Sequence, residues 1–201
     1  MRTMKLFFLF SVLVICILSC ASVSRNTGKD KPYVYLTDSV RFVLLPTEGI
    51  EQGMDMIQLL SAEFRGQNYF FNAWVKADEN VLEIALFNDM GTSLGELSYR
   101  NGVVNFSSAV IPRAAMRHIR PEYVIADFQL SFYDPFLLEK ALRDSGLILE
   151  INNDYYRFGN RRILNGNETI IEIEKTENTV KFVNHLREYT YTLEGDFHGI
   201  R

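Results

Sequence analysis

The residues that could carry out chemistry are few, and their spacing does not favour it. Three histidines occur in the 201 residues. His118, His185 and His198 lack the short spacings, such as His-x-x-x-His, that put two imidazoles on one metal ion. They read as solvated or structural. Gly91, Gly95 and Gly102 read as turn or strand glycines, so no phosphate-cradling loop is expected, and no Gly-x-Ser-x-Gly nucleophile elbow is expected either. The carboxylates are scattered. No catalytic residue, metal site or cofactor is expected, and the chain reads as a non-enzyme. One acid stands apart. Asp127 lies at helical spacing from Tyr123 and Leu130, which turns it toward the core side. An ionised carboxylate there needs a donor, with Arg120 or Arg113 as candidates. It either pins a helix to a sheet or makes a polar contact at the mouth of a groove.

The two cysteines, Cys16 and Cys20, fall in the leader. Arg2 and Lys5 make a positive start. Residues 6–18 are apolar apart from Ser11, too short a run to span a bilayer, which needs ~20 residues. The run ends in Ile17-Leu18-Ser19-Cys20, which resembles a lipobox: aliphatic, tolerant, small, then Cys. Cleavage before Cys20 and acylation of that cysteine are expected, with 1–19 as signal peptide. Each buried CH₂ adds ~0.8 kcal/mol, so a multiply acylated cysteine anchors firmly. In leaders of this kind, Ala21 after the cysteine implies sorting to the outer membrane. The mature body then has no thiol for a disulfide or a metal.

Charge and composition bound the rest. Hydrophobic residues make up 47% and charged residues 23%, as in ordinary globular proteins. The net charge of −4 carries no basic stripe, which argues against nucleic acid as a partner. Residues 20–31 are polar and aperiodic and read as a tether. Residues 32–201 read as one domain, long enough to bury a core without staples.

The elements that must position any site are mostly strands. Runs at 54–65, 68–77, 81–87, 92–99 and 103–108 are strand-length, rich in aromatic and β-branched residues, and bounded by Asn, Asp or Gly. Asn101-Gly102 signals a tight hairpin, since both residues tolerate positive φ. Within these runs Leu82, Ile84 and Leu86 share one face. Phe70 and Trp74 sit on a mixed face of their own strand, either packed under a helix or loop or lining a lipid-accepting groove. A helical insert spans about 113–145, with Pro121 at a helix N1 position and Asp134-Pro135 as N-cap and N1 of the next helix. A second block of strands follows from 147 to 194. The layout is β-meander, short helices, β-meander, a mainly β (α+β) chain.

Several stretches carry a resemblance. The leader, the turn Phe87-Asn88-Asp89-Met90-Gly91-Thr92, Ile111-Pro112, the helical Ile125-Ala126-Asp127-Phe128-Gln129-Leu130, Arg161-Arg162 and Ile170-Ile171-Glu172-Ile173 resemble an uncharacterised bacterial lipoprotein family, domain of unknown function 3261, from about residue 55 onward. That family is similar to the outer-membrane lipoprotein receptor LolB and its periplasmic partner LolA. The resemblance implies a curved antiparallel half-barrel sheet with short helices plugging its concave face. It also implies neighbours in glycolipid-like or aryl-polyene biosynthesis.

Together these readings describe a protein anchored through Cys20 at the periplasmic face of the outer membrane. It would hold an acyl chain, lipid or lipoprotein in an apolar concavity, without catalysis. Phe70, Trp74, Leu82, Ile84, Leu86, Phe128 and Leu130 are the candidate lining residues, with Asp127 as the polar contact. The alternative is a structural or assembly partner in a lipid, polyene or envelope complex, its concavity filled by its own helices. A continuous apolar pocket of ~300 Å³ or more would favour the carrier.

Overall fold

The computed structural model describes residues 21–25, 31–50, 53–64, 66–117, 119–152 and 159–197. The leader with Cys20, and His118 and His198, lie outside the described residues. The described elements run β1 Ala21–Arg25, β2 Tyr33–Tyr35, β3 Arg41–Val43, β4 Met54–Phe64, β5 Gln67–Ala77, β6 Leu82–Phe87, β7 Ser93–Arg100 and β8 Val103–Ser108. Three helices follow: α1 Arg113–Met116, α2 Glu122–Phe132 and α3 Pro135–Asp144. The chain then resumes as β9 Ile148–Asn152, β10 Asn160–Asn165, β11 Glu168–Lys175, β12 Thr179–Asn184 and β13 Tyr189–Glu194.

Eleven strands form one antiparallel sheet in the order β1-β8-β7-β6-β5-β4-β13-β12-β11-β10-β9, while β2 and β3 make a separate hairpin. Each meander pairs its strands in sequence order, as short turns require. Asn101 at φ 51° and Gly102 at φ 74° make the hairpin turn that residues tolerant of positive φ suggest. The two meanders meet where β13 pairs with β4, from Tyr189 opposite Phe64 to Glu194 opposite Leu59. That contact joins the last strand to the first long one, and a single sheet results. The sheet stays open, with β1 and β9 at its edges.

Two local readings change. Ala21–Arg25, inside the segment read as a tether, forms β1 and pairs with β8 from Ala21 opposite Ser108 to Arg25 opposite Val104. Without it β8 would present a row of unpaired backbone groups at the edge. Pro121 is the N-cap of α2, one residue before the N1 position expected. Asp134 caps α3 as expected, its Oδ1 accepting from Phe136 N at 2.9 Å and Leu137 N at 3.0 Å.

The helices cover one face of the sheet. Val75, Ala77, Leu82, Leu97 and Tyr99 from the first meander, and Ile163, Ile171, Ile173 and Phe182 from the second, are buried beneath Ile125, Leu130, Leu138 and Leu142. A 3-10 turn, Thr47–Gly49, closes against the end of α2. A Cβ at Gly49 would lie 2.8 Å from the Tyr133 ring, and Asp134 N donates to Gly49 O at 3.3 Å. Tyr133 is fully buried and cannot give way. Gly49→Ala should therefore cost about 1–3 kcal/mol in urea unfolding. Gly53→Ala should be close to neutral, because its Cβ would meet only a backbone oxygen at 3.5 Å.

A cavity between the sheet and the buried helix

Helix α2 is apolar on almost every side and lies in the core, so each polar group it carries needs a partner. Gln129 accepts from Leu45 N at 2.9 Å and donates to Leu45 O at 2.7 Å and to the Tyr133 hydroxyl at 3.2 Å. Ser131 donates back to Asp127 O at 2.8 Å. The helix ends with carbonyls that would otherwise be orphaned. Buried Arg161 donates from Nη1 to Leu130 O and Tyr133 O, each at 3.0 Å, and Lys175 Nζ reaches Ser131 O at 3.1 Å. Cations at a helix C-terminus also suit the negative end of its dipole.

Asp127 projects from the same helix and is only 8% exposed. Its donor is neither Arg120 nor Arg113: Tyr189 donates its hydroxyl to Oδ2 at 2.6 Å. Arg120 sits near Glu122 instead, at 3.5 Å. The reason is topological, since β13 arrives under α2 from the far end of the chain. Arg187 adds a favourable charge while bonding Tyr35 O and the Tyr123 hydroxyl. Burial dominates, and lifts the Asp127 carboxyl from 3.8 to about 7, with the Tyr189 bond and Arg187 opposing it. Burial, and after it the same carboxylate, holds the Tyr189 and Tyr191 hydroxyls well above their ordinary range.

Beside Asp127, a cavity of about 200 Å³ lies between α2 and the sheet. Val124, Phe128 and Phe132 of α2 cover it. Ile84 and Leu86 of β6, Ala73 and Val75 of β5, Leu60 and Ala62 of β4, and Tyr191 and Leu193 of β13 line the sheet side. The register explains the grouping: Ile84 faces Val75, Leu86 faces Ala73, and Ala62 faces Tyr191 across neighbouring strands. Besides the Tyr191 hydroxyl, Gln58, opposite Ala73, is the polar exception on the sheet side. It is 1% exposed, and neither Oε1 nor Nε2 has a hydrogen-bond partner.

The candidate residues divide three ways. Ile84, Leu86, Phe128 and Asp127 line the cavity. Leu82 and Leu130 are fully buried core residues outside its lining. Phe70 and Trp74 are on the other face of the sheet, because β5 alternates and Ala73 and Val75 hold the inner positions. Phe70 is 61% exposed, and Trp74 donates Nε1 to Asp55 Oδ1 at 2.8 Å. Nine lining residues were missed, among them Gln58, Tyr191 and Leu193. The Tyr189, Tyr191, Leu193 alternation against Thr190, Thr192 and Glu194 was a usable signal for two of them.

Contrary to expectation the chain does hold a Gly-x-Ser-x-Gly spacing, Gly91-Thr92-Ser93-Leu94-Gly95, but it builds no nucleophile elbow. Ser93 begins β7 opposite Phe87, and its Oγ lies 3.4 Å from Glu96 Oε1. A nucleophile elbow needs a strand-to-helix turn, and β7 leads to another strand. Among the described residues no group of three or more His, Cys, Asp or Glu converges, and no helix is long and apolar enough to cross a membrane.

The described molecule is thus an open antiparallel sheet with a buried helix over an apolar cavity. The chain belongs to the family described as protein of unknown function (DUF3261), whose profile matches residues 55–195. That span runs from β4 to the end of β13 and contains every residue that lines the cavity. No curated protein matches the chain significantly.

Two outcomes follow from the site's polar groups. The Asp127 carboxyl binds its proton more tightly folded than unfolded. Its contribution to stability is therefore full below about pH 3.8 and lost as pH rises through about 7. Asp127→Asn should flatten the fall in urea midpoint across that window. Gln58→Leu removes two unpaired buried polar atoms and should stabilise the ligand-free protein by about 1–3 kcal/mol, read by urea unfolding.

Proposed function

We propose that this protein is a lipid-anchored, non-catalytic binder of acyl chains or lipids at the periplasmic face of the outer membrane. Acylated Cys20 tethers it there, with Ala21 directing the sorting. The sheet acts as a half-barrel of the LolA and LolB kind, and its helix-covered face receives the chain. The observation that carries this reading is the apolar cavity beneath α2, walled by Ile84, Leu86, Val75, Leu193 and Phe128. Apolar area contributes ~25 cal/mol per Å² on burial, which is the affinity source for an alkyl chain.

The cavity's size defines the motion required. At about 200 Å³ it is below the ~300–1,000 Å³ typical of small-molecule sites. A short alkyl segment fits as it stands; a longer chain needs α2 to shift and carry Val124, Phe128 and Phe132 away from the sheet. The same small volume favours the second reading, a structural partner whose concavity is filled by its own helix.

Native mass spectrometry of the protein purified from membranes should show a bound lipid, and Ala62→Trp, at the half-buried end of the cavity, should remove it while leaving the fold intact. A lipid-free wild type that also fails to take up an added fatty acid would favour the structural partner. Cys20→Ala should release the protein from the membrane. Membrane retention of that variant would end the anchor.

A further inference from the structure

Gln58 has a polar requirement that an alkyl chain cannot meet. It stands on β4 between Met56 and Leu60 on the helix-covered face, opposite Ala73. Gly195 lies against its stem: a Cβ there would be 3.3 Å from Gln58 Cγ. The neighbours on both sides are thus small, and the amide is left bare between them. Both its atoms are buried and unpartnered. Structures keep such groups rarely, and each one asks for an explanation.

The cavity has a direction. Ala73, Val75 and Gln58 are buried at one end, whereas Leu60 and Ala62 are half-buried and Val124 is 48% exposed toward the other. Gln58 therefore marks the deep end. An incoming chain meets it last.

We propose that the ligand is an alkyl chain whose inserted end bears a hydroxyl, held by Gln58. This rests on the lipid-binding reading above and specifies its ligand class. The chemistry selects the group. Nε2 must donate and Oε1 must accept, so the partner must accept and donate at once. A hydroxyl does both and is neutral at every relevant pH. An ether or ester only accepts and leaves Oε1 unpaired. A methyl end leaves both atoms unpaired. A carboxylate only accepts and adds the cost of a buried charge.

The test uses three probes matched in heavy-atom count: octan-1-ol, 1-methoxyheptane and nonane. Each competes with an apolar fluorophore bound to leaderless protein. In the wild type, octan-1-ol should bind about tenfold or more tighter than 1-methoxyheptane, since an unmet buried hydrogen bond costs enough for that ratio. In Gln58→Leu, and in the unbranched Gln58→Met, the order should invert, with nonane strongest, because the hydroxyl then loses water without gaining a partner. Equal binding of octan-1-ol and 1-methoxyheptane in the wild type would overturn the hydroxyl assignment and leave the lipid-binding reading standing. So would a hydroxyl preference that survives in both variants. Failure of all three probes to bind the wild type would overturn both.

Discussion

A helix buried in the core must have its polar groups answered from elsewhere in the chain, and this constraint organises the molecule. Leu130 O and Tyr133 O receive Arg161 from the second meander. Gln129 takes both backbone groups of Leu45, from before the first meander. Asp127 takes the Tyr189 hydroxyl from the last strand. Three sequence-distant segments thus hold one helix. Removing any of these partners leaves a buried polar group unmet, which costs more than a surface hydrogen bond is worth. The β13–β4 pairing makes the arrangement possible, because it brings Tyr189 and Tyr191 beneath the helix.

The cavity follows from what the same face lacks. Ala62 and Ala73 place small side chains, and Gly195 none, where the strands pass under Val124, Phe128 and Phe132. Elsewhere on that face the larger side chains of Ile163, Ile171, Ile173 and Phe182 are fully buried. Strands β10–β12 therefore seat the helix, while β4–β6 together with β13 leave room beneath it. Gln58, Asp127 and Tyr191 carry the polar groups of the cavity lining; Asp127 is met by Tyr189 and Tyr191 by Ser131, whereas the Gln58 amide has no partner among the described residues. The proposed activity lives in that asymmetry.

Strand periodicity and turn chemistry were legible in the sequence. The Asn101-Gly102 hairpin, the Asp134-Pro135 cap and the meander–helix–meander order all rest on local signals, and the structure shows them. Ile84 and Leu86 could be assigned to the inner face by alternation. Phe70 and Trp74 could not be assigned by size, because β4 and β5 carry apolar residues on both faces; Ile57 is 70% exposed on the outside. The β13–β4 contact is non-local, so nothing near Asp127 in sequence pointed to Tyr189. Arg113 and Arg120 were nearer along the chain, but the sheet brought a different donor. For the same reason Gln58 gave no warning, as its isolation depends on Gly195 from the opposite end of the domain.

The most direct measurement is methyl NMR of the leaderless protein with a spin-labelled fatty acid. Signals from Ile84, Leu86, Leu60 and Leu193 should broaden on binding, while those of Ile57 and Leu59 on the outer face should not. Broadening confined to the outer face, or none at any methyl while the acid is bound, would contradict the account.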